Sequence, residues 1–464
     1  MKDRQDLPCL RPKEYEGMPG ESHHGKMQIL FRRVFRLVGV MIVLATMVML
    51  FWLRDAFYHR WVRFPREEAA WAAIRAQRQP VLANAGWLEY RGILHNHTAY
   101  SHDCEVPFGE ILRVLKTTGI DFICLSDHCE QGRANFDLQW RGLHDGKLFI
   151  PGFEMREGIM PFGVVSGVVL SNQTDSRTLA RQVADNGGLL FYAHPEEPRA
   201  WEQPELTGME IYNIHTDFKN ESNRLRELLP DFLVNQRRYP DHVFRLIFNR
   251  PAAFLRRWDD LNRTRHITGI AGNDCHQNTG LRGIYTAADT LRVEDTSPRT
   301  LTEFKLNWFT RALARLCLGR LEPNRKLLHM QLDPYERMAR FVNTHVLARD
   351  LTEPAILGSL RAGRVFIGFD MIADSAGFLW LAQGAAGRAV MGETLAFSRE
   401  TRLRAASPHV CRFTILKDGD TVCQAEGRTL EWTPSGPGKY RVEAELKVLD
   451  QWVPWVYTNP IELR

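Results

Sequence analysis

The stretch "LHNHTAYSHDCE" (residues 94–105) places three histidines, an aspartate and a cysteine within twelve positions. It overlaps the end of a short apolar run, "RGILH" (91–95). His95 ends that run and His97 lies two residues on, so both imidazoles can extend beyond the carboxyl end of one strand. A His-x-His pair alone is also compatible with an ordinary polar loop. The decisive question is whether other strand ends in the chain supply matching ligands.

Outward from this stretch, short apolar runs alternate with polar loops and amphipathic helices. Helical patterns at 109–119 and 176–188 fit between the runs. Strands that alternate with helices predict a parallel sheet, and seven runs with polar ends favour an α/β barrel over an open sheet. Besides 91–95, the runs are "DFICLS" (121–126), "LFIPGFE" (148–154), "VVSGVVL" (164–170), "LLFYAH" (189–194), "GMEIYN" (208–213) and "HITGIAGND" (266–274).

Histidines and carboxylates fall at the ends of these runs. In barrels of parallel strands the carboxyl-terminal face is where active sites are built. A mixed nitrogen and oxygen set suits zinc, manganese or iron better than calcium, which prefers oxygen alone. We therefore predict a metal site. Besides His95 and His97, its candidate residues are Asp103, Asp127, His128, Glu154, His194, Asp274 and His276.

In their order, the motifs "HNHTAYSHD", "LSDH", "GFE", "AHP" and "GNDCH" resemble the polymerase and histidinol phosphatase (PHP) family of metal-dependent phosphoesterases. The resemblance covers roughly residues 91–285, and a looser likeness to membrane-associated bacterial members continues through "SLRAGRVFIGFD". It implies a distorted (β/α)7 barrel with two or three divalent metal ions, usually zinc, manganese or iron.

The resemblance also implies a role for each candidate residue. His95, His97 and Asp274 would bind a first metal, and Glu154 would bridge it to a second. His194 would hold that second metal. Asp103, His128 and His276 would bind a third. Glu154 and Asp127 are the implied catalytic residues, with Asp127 orienting the site or contacting a bound water.

Two departures from the family pattern concern the second metal and the first loop. Family members usually carry a histidine between the bridging glutamate and "AHP", but residues 155–193 contain none, and Phe162 stands about where it would fall. The second metal would then have a poorer shell or take a ligand from elsewhere, and His102 and His215 are conceivable donors. Cys104 replaces a usual glycine, and with Cys275 it would put a thiol beside a metal.

The predicted function is therefore hydrolysis of a phosphate mono- or diester by a metal-activated water. The substrate would be a phosphorylated small molecule or an oligonucleotide. Arg133, Arg156 and Arg282 lie near the ligand motifs and could bind its phosphate bidentately. The alternative is a catalytically weakened metal-binding barrel that acts as a membrane-tethered binding or scaffold module. An amidohydrolase-like activity would want a different His and Lys pattern.

Residues 37–53 form a run of seventeen residues without a charge, which predicts a single transmembrane anchor. A buried core helix and a cleaved signal peptide are the alternatives. The 36-residue polar lead and the lack of a small-x-small site after Leu53 argue against the signal peptide. Four basic residues flank each side, so the positive-inside rule does not decide the orientation. We predict a membrane protein with its large domain outside the cytoplasm.

The remaining composition is ordinary. A net charge of +5 over 464 residues gives no strong nucleic-acid signal. The predicted domains are a polar tail (1–36), the anchor (37–53), a helical connector (54–90), the barrel with helical insertions at 216–265 and 300–362 (91–371), and an all-β, sandwich-like domain (372–464).

Overall fold

The computed structural model describes residues 23–81, 86–220, 225–286, 288–295 and 300–464. The chain divides into two compact units, with the boundary after Tyr58. A π-helical turn, His59–Arg63, precedes the second helix. The helices are α1 (His23–Tyr58), α2 (Phe64–Ala76), α3 (Phe108–Thr118), α4 (Ser176–Asp185), α5 (Ile214–Asn220), α6 (Leu225–Asn235), α7 (Pro240–Arg245), α8 (Ala252–Thr264), α9 (Trp308–Leu318), α10 (Tyr335–Phe341) and α11 (Glu353–Ala362).

The strands make the fold mixed α/β, with one large sheet and three smaller ones. They are β1 (Leu88–Asn96), β2 (Phe122–Cys124), β3 (Asp127–His128), β4 (Arg133–Asn135), β5 (Gly142–His144), β6 (Lys147–Ile150), β7 (Phe153–Glu154), β8 (Ile159–Phe162), β9 (Val169–Ser171), β10 (Leu189–Tyr192), β11 (Leu206–Asn213), β12 (Thr268–Cys275), β13 (Gly280–Tyr285), β14 (Thr290–Asp295), β15 (Thr300–Lys305), β16 (Lys326–Gln331), β17 (Asn343–Ala348), β18 (Val365–Gly368), β19 (Leu379–Gly384), β20 (Gly387–Val390), β21 (Thr394–Leu395), β22 (Arg402–Lys417), β23 (Asp420–Trp432), β24 (Gly438–Val448), β25 (Gln451–Thr458) and β26 (Ile461–Leu463).

The apolar segment predicted as an anchor, residues 37–53, lies within α1. One helical stretch, Leu30–Ala76, contains an 18-residue window with a mean hydropathy of 2.5, and none of that window is buried. It is therefore long and apolar enough to cross a membrane, although a signal sequence would pass the same test. The first 22 residues of the predicted polar tail lie outside the described residues.

Parallel strands flank β1, whose carboxyl end carries His95. β1 pairs in parallel with β2 on one side and with β12 on the other. β2 continues to β6, and β12 continues through β11 to β10, all in parallel. The carboxyl ends of these strands therefore meet at one edge, where the ligand motifs were predicted. α3 and α4 confirm the two predicted helices within one to three residues at each end.

The predicted strand at 164–170 is wrong. The chain instead forms β8, which ends at Phe162 and runs antiparallel to β10, and then β9, which pairs with β4. Gly163 (φ 68°) and Gly167 (φ 83°) cause the break, because both take the left-handed backbone conformation that a continuous strand does not allow. An isolated bridge between Gly152 and Phe162 joins β8 to the segment after β6.

The prediction of a helical insertion at 300–362 is wrong in part. Residues 280–331 contain an antiparallel four-stranded sheet in the order β15-β14-β13-β16, with α9 beside it. β17 lies between β1 and β18 and is buried along its whole length. Its pairing partners are far away in the chain, so local sequence pattern could not identify it.

The carboxyl-terminal region is all-β, as the turn-rich sequence predicts. Its strands β19–β26 pair mostly antiparallel, with a two-residue hairpin turn at Asp418-Gly419. β18 pairs with β25, so this region shares a continuous sheet with β17 and β1. Residues 59–464 form one compact unit, and the boundary at 371 remains a prediction.

His345 on β17 links the amino end of β1 to the segment after β18. Its Nδ1 lies 2.7 Å from Glu89 Oε1, and its Nε2 lies 2.9 Å from Asp370 Oδ2. Burial alone would lower the pKa of His345, but the charges of Asp370 and Glu89 outweigh it and raise the pKa to about 9. The imidazole is therefore charged at neutral pH.

This shift predicts how stability changes with pH. The ion pairs contribute fully below the ordinary histidine pKa of 6.5, and their contribution is lost as the pH rises through about 9. We expect the free energy of unfolding to fall by up to ~3 kcal/mol across this range. Denaturant titrations of the wild type and of His345→Gln test this. Equal slopes against pH in the two proteins would contradict it.

Candidate metal centre

A cavity of about 550 Å³ opens at the edge where the strands carrying the ligand motifs end. Six of the eight predicted metal ligands line it. The other two, His95 and His97, are fully buried. His95 Nε2 lies 3.3 Å from Asp274 Oδ1, and His97 Nε2 lies 3.7 Å from Glu154 Oε2. Their donor atoms form overlapping groups with spacings that could hold metal ions. The groups are His97, Asp103, His128 and His276; His95, His97 and Glu154; His95, His194 and Asp274; and His215, Asp274 and His276.

Glu154 and Asp274 occupy the centre of this arrangement. One oxygen of Glu154, Oε2, lies 3.3 Å from His95 Nε2, 3.7 Å from His97 Nε2 and 3.6 Å from His128 Nδ1. The other oxygen, Oε1, lies 3.1 Å from the Nε2 of His194. Glu154 thus reaches His95 at the end of β1, His97 just after it, and His194 after β10.

Asp274, at the end of β12, contacts three of the same histidines. Its Oδ1 lies 3.3 Å from His95 Nε2 and 3.4 Å from His97 Nε2, and its Oδ2 lies 3.6 Å from His194 Nε2. Burial alone would raise the pKa of Asp274, but the surrounding histidines, His95 first among them, hold it well below its usual range. The same balance keeps the pKa of Glu154 low. Both side chains are therefore anions, and Asp274 is a buried one.

A second cluster lies beside the first, where the loop that carries Asp103 meets His128 and His276. Asp103 Oδ2 is 3.4 Å from His128 Nε2 and 3.2 Å from His276 Nε2. The rings of His97 and His276 stack with their centroids 3.7 Å apart. Burial and the neighbouring His276 lower the pKa of His97 to about 3, so its imidazole is neutral and its Nε2 can donate a lone pair.

Four buried polar atoms in these clusters have no hydrogen-bond partner among the described residues. They are His97 Nε2, Asp103 Oδ1 and both carboxylate oxygens of Asp274. Leaving such atoms unpaired in a folded protein is costly. Neutral imidazole nitrogen and carboxylate oxygen directed at common points form the donor set that zinc, manganese and iron prefer. The residues present therefore fit divalent metal ions.

Glu210 on β11 orients the ligands and was missed by the sequence analysis. Its Oε1 lies 2.5 Å from His95 Nδ1, and its Oε2 accepts hydrogen bonds from the backbone N–H of His194 (2.8 Å) and from Asn213 (2.9 Å). Carboxylates that hold the second nitrogen of a ligating histidine fix the ring and raise its basicity. The available signal was a glutamate inside the apolar run "GMEIYN".

Three of the predicted ligands have an unusual backbone. His95 (φ 61°), His194 (φ 51°) and Asp274 (φ 51°) all take the left-handed conformation at the ends of β1, β10 and β12. Each costs of order 1 kcal/mol or more in a residue with a Cβ, and such strain concentrates at functional sites. The bend turns each side chain out of the strand and towards its neighbours in the cluster.

Asp127, predicted as a catalytic residue, is fully buried. Its carboxylate accepts hydrogen bonds from the backbone N–H of Thr98 (2.6 Å), the Thr98 hydroxyl (3.0 Å) and Gln139 (2.7 Å). It is absent from the described residues that line the cavity. Asp127 thus fixes the loop after β1, and its contact with a bound water remains a prediction.

The two histidines considered as replacement donors have different surroundings. His215, at the start of α5, has its Nδ1 3.9 Å from Asp274 Oδ2 and belongs to a potential metal-binding group with Asp274 and His276. His102 lines the same cavity, but no such group among the described residues includes it. Phe162 belongs to a hydrophobic cluster, where its ring centroid lies 5.6 Å from that of Phe191. It is not among the described residues that line the cavity.

The cysteines do not join the ligand groups of the described residues. The thiol of Cys104 donates to the backbone carbonyl of His97 at 3.4 Å, and burial raises its pKa to about 12. Cys275 is fully buried, and burial raises its pKa well above the usual range. Both thiols stay protonated, so the donor set consists of nitrogen and oxygen.

The three predicted phosphate-binding arginines are in different places. Arg156 lines the cavity, and its Nη2 donates to Glu157 at 3.2 Å. Arg133 is exposed on β4, and Arg282 is buried against Glu294 at 3.1 Å; neither is among the described residues that line the cavity. Arg199, which the sequence analysis did not select, also lines it.

Comparison with known proteins adds little. No family model matches the chain, and no curated protein matches it. Among solved structures, the chain is similar to a two-domain protein from Bacteroides vulgatus ATCC 8482 containing a predicted PHP-like metal-dependent phosphoesterase. The identity is 12%, the match covers 82% of this chain and 98% of that chain, and the TM-score is 0.34. A likeness at this level assigns neither fold nor function.

Proposed function

We propose that the chain is a metal-dependent phosphoesterase that hydrolyses a phosphate mono- or diester with two or three divalent ions, zinc, manganese or iron. One observation carries the proposal. Eight histidine and carboxylate side chains from separate strand ends meet in overlapping groups around Glu154 and Asp274, and four of their buried atoms have no hydrogen-bond partner among the described residues. A purely structural cluster would leave fewer buried atoms without partners.

Divalent ions bound there would polarise the phosphoryl oxygens and lower the pKa of a water that attacks phosphorus. The side chains divide the remaining work. Glu154 would hold adjacent ions together, while Asp274 and the imidazoles would complete their shells. Glu210 fixes the ring of His95 and the backbone of His194. Arg156, on the cavity wall, binds the phosphate of the substrate.

We infer further that the strands around the site form the distorted (β/α)7 barrel that the family resemblance implies. The pairings run from β6 through β2, β1, β12, β11 and β10 to β8, and the bridge between Gly152 and Phe162 supports closure. In this proposal residues 91–371 are the barrel with its insertions, and residues 372–464 are the sandwich-like domain.

The test combines metal analysis of the purified full chain with hydrolysis of an aryl phosphate monoester and diester. Turnover that EDTA removes and added metal restores is the expected result. Protein without bound metal, or turnover that EDTA leaves unchanged, would contradict the proposal. Bound metal without turnover on either ester would favour the alternative, a binding or scaffold module.

His215→Ala is expected to lower the amount of metal bound per chain, because His215 is the imidazole next to the Asp274 carboxylate that can replace the missing histidine. His102→Ala is the matched control, since His102 lines the same cavity outside the ligand groups of the described residues. The measurement is elemental analysis after dialysis against limiting zinc. Equal metal content in the two variants would show that His215 is not a ligand.

Arg156→Ala is expected to raise KM by about tenfold to a hundredfold, because it removes a charge-assisted hydrogen bond to the phosphate. kcat should change less. Arg133→Ala is the control and should leave KM unchanged, because Arg133 is exposed on β4 and is not among the described residues that line the cavity. Steady-state kinetics on the aryl phosphate monoester compares them. An unchanged KM in Arg156→Ala would remove this residue from the substrate site.

We also propose that residues 37–53 of α1 are an uncleaved membrane anchor, with the large domain outside the cytoplasm. The length and apolar character of the helix support the anchor. A reporter enzyme that is active only outside the cytoplasm, fused after residue 464, tests the orientation. A reporter active only in the cytoplasm would reverse it, and release of the protein from membranes by cleavage would indicate a signal peptide.

A further inference from the structure

Helix α9 has an apolar face that none of the described residues covers. The exposed fractions are 82% for Trp308, 59% for Phe309, 49% for Leu313 and 83% for Leu316. With 3.6 residues per turn, these side chains and that of Ala312 fall within an arc of about 140° on one side of the helix. Large apolar side chains grouped on an exposed face indicate a binding surface.

The opposite side of α9 attaches it to the protein. Ala314 is buried in a small core with Leu306 and Tyr285. At the start of the helix the Asn307 side chain accepts from the backbone N–H of Thr310, and the Thr310 hydroxyl accepts from that of Asn307. This capping box fixes the first turn. The apolar face is therefore held outward by a formed helix and is available for a partner.

The charge around α9 limits the class of partner. The segment 300–326 contains only two acidic residues, Glu303 and Glu322, and a third, Asp289, forms an ion pair with Arg311 of the helix. A second copy of the same surface would bring like charges together, which is unfavourable. An anionic surface would be attracted to it. The basic residues of the segment are Lys305, Arg311, Arg315, Arg320, Arg325 and Lys326.

We propose that this face of α9 inserts into the interface of a membrane that contains anionic lipids. Tryptophan and phenylalanine with neighbouring arginines are the composition of helices that lie in such an interface. The same chain has a helix apolar enough to cross a bilayer, so the chain is held at a membrane when that helix acts as the proposed anchor. α9 is thereby a second, peripheral contact with lipid, separate from the metal site.

The test places a benzophenone amino acid at position 316 or, as control, at position 143 of the full chain. Both leucines are exposed, Leu316 by 83% and Leu143 by 58%. The protein is reconstituted into vesicles of phosphatidylcholine and phosphatidylglycerol in equal parts and irradiated. Mass spectrometry should find lipid adducts at position 316 and several-fold fewer at 143. Equal yields at the two positions, or crosslinks from 316 to a second chain, would overturn the proposal.

A charge variant tests the attraction to anionic lipid separately. Arg315→Glu combined with Arg320→Glu should lower the adduct yield at 316 by about 25-fold or more in the mixed vesicles, because each basic residue near an anionic surface contributes about a fivefold change in binding. In vesicles of phosphatidylcholine alone the yield should not depend on the substitutions. The same yield with and without them in the mixed vesicles would overturn the role of anionic lipid.

Discussion

Replacing Glu154 by glutamine is expected to lower kcat for phosphate ester hydrolysis on the order of 1,000-fold. The two oxygens of Glu154 face different histidines, His194 from Oε1 and three others from Oε2, so in the proposed site both oxygens would take part in binding adjacent ions. Glutamine keeps the shape but removes the charge and replaces one oxygen by an amide nitrogen, which cannot bind a cation. Steady-state kinetics at saturating metal, together with metal analysis, measures the effect.

Glu157→Gln provides the matched control. Glu157 lines the same cavity and its side chain is half exposed, but the ligand groups of the described residues do not include it. Its substitution should leave kcat and metal content close to wild type. Full turnover by Glu154→Gln with its metal retained would refute the assignment of Glu154 as the bridging ligand. Similar losses in the two variants would show that general cavity charge matters more than coordination.

Gly272→Ala on β12 should destabilise the protein by about 3 kcal/mol or more and release metal. A Cβ at this position would lie 2.0 Å from Glu210 Oε1 and 2.9 Å from Asn213 Nδ2. Glu210 is fully buried, so it can yield only by giving up its contacts with His95 and His194. Thermal unfolding and metal analysis of the same preparation should both change.

Gly358→Ala separates this effect from the general cost of changing glycine to alanine. Gly358 lies inside α11, and a Cβ there would meet nothing within 4 Å. Alanine in a helix interior stabilises by up to about 1 kcal/mol relative to glycine. Gly358→Ala should therefore unfold at or above the wild-type temperature. A Gly272→Ala protein of wild-type stability and metal content would show that Glu210 is not needed to hold the ligands.

The sequence predicted those parts of the site that depend on strand ends. His95, Glu154, His194 and Asp274 each follow an apolar run, and parallel pairing brings such ends to one edge whatever the details of the loops. The structure brings all eight predicted ligands together for this reason. Glu210 could not be found in the same way, because it lies in the middle of β11 and its role depends on the side chain of His95, far away in the chain.

The fold was predicted where local pattern decides it. α3 and α4 have strong amphipathic periodicity, and the hairpin at Asp418-Gly419 has a turn sequence with a fixed geometry. β8 and β17 were missed because their pairing is set by distant strands. The predicted run next to β8, 164–170, is preceded by the left-handed Gly163 and interrupted by the left-handed Gly167.

The left-handed backbone at His95, His194 and Asp274 has a consequence for directed evolution of this protein. Glycine adopts that conformation without strain, but at His95 and His194 it would leave the carboxylates of Glu210 and Glu154 without these partners. The loss of the ion pairs would outweigh the relief of strain, and a predicted metal ligand would be lost as well. A more stable active variant therefore has to be sought at sites such as Gly358, where the backbone favours a larger residue.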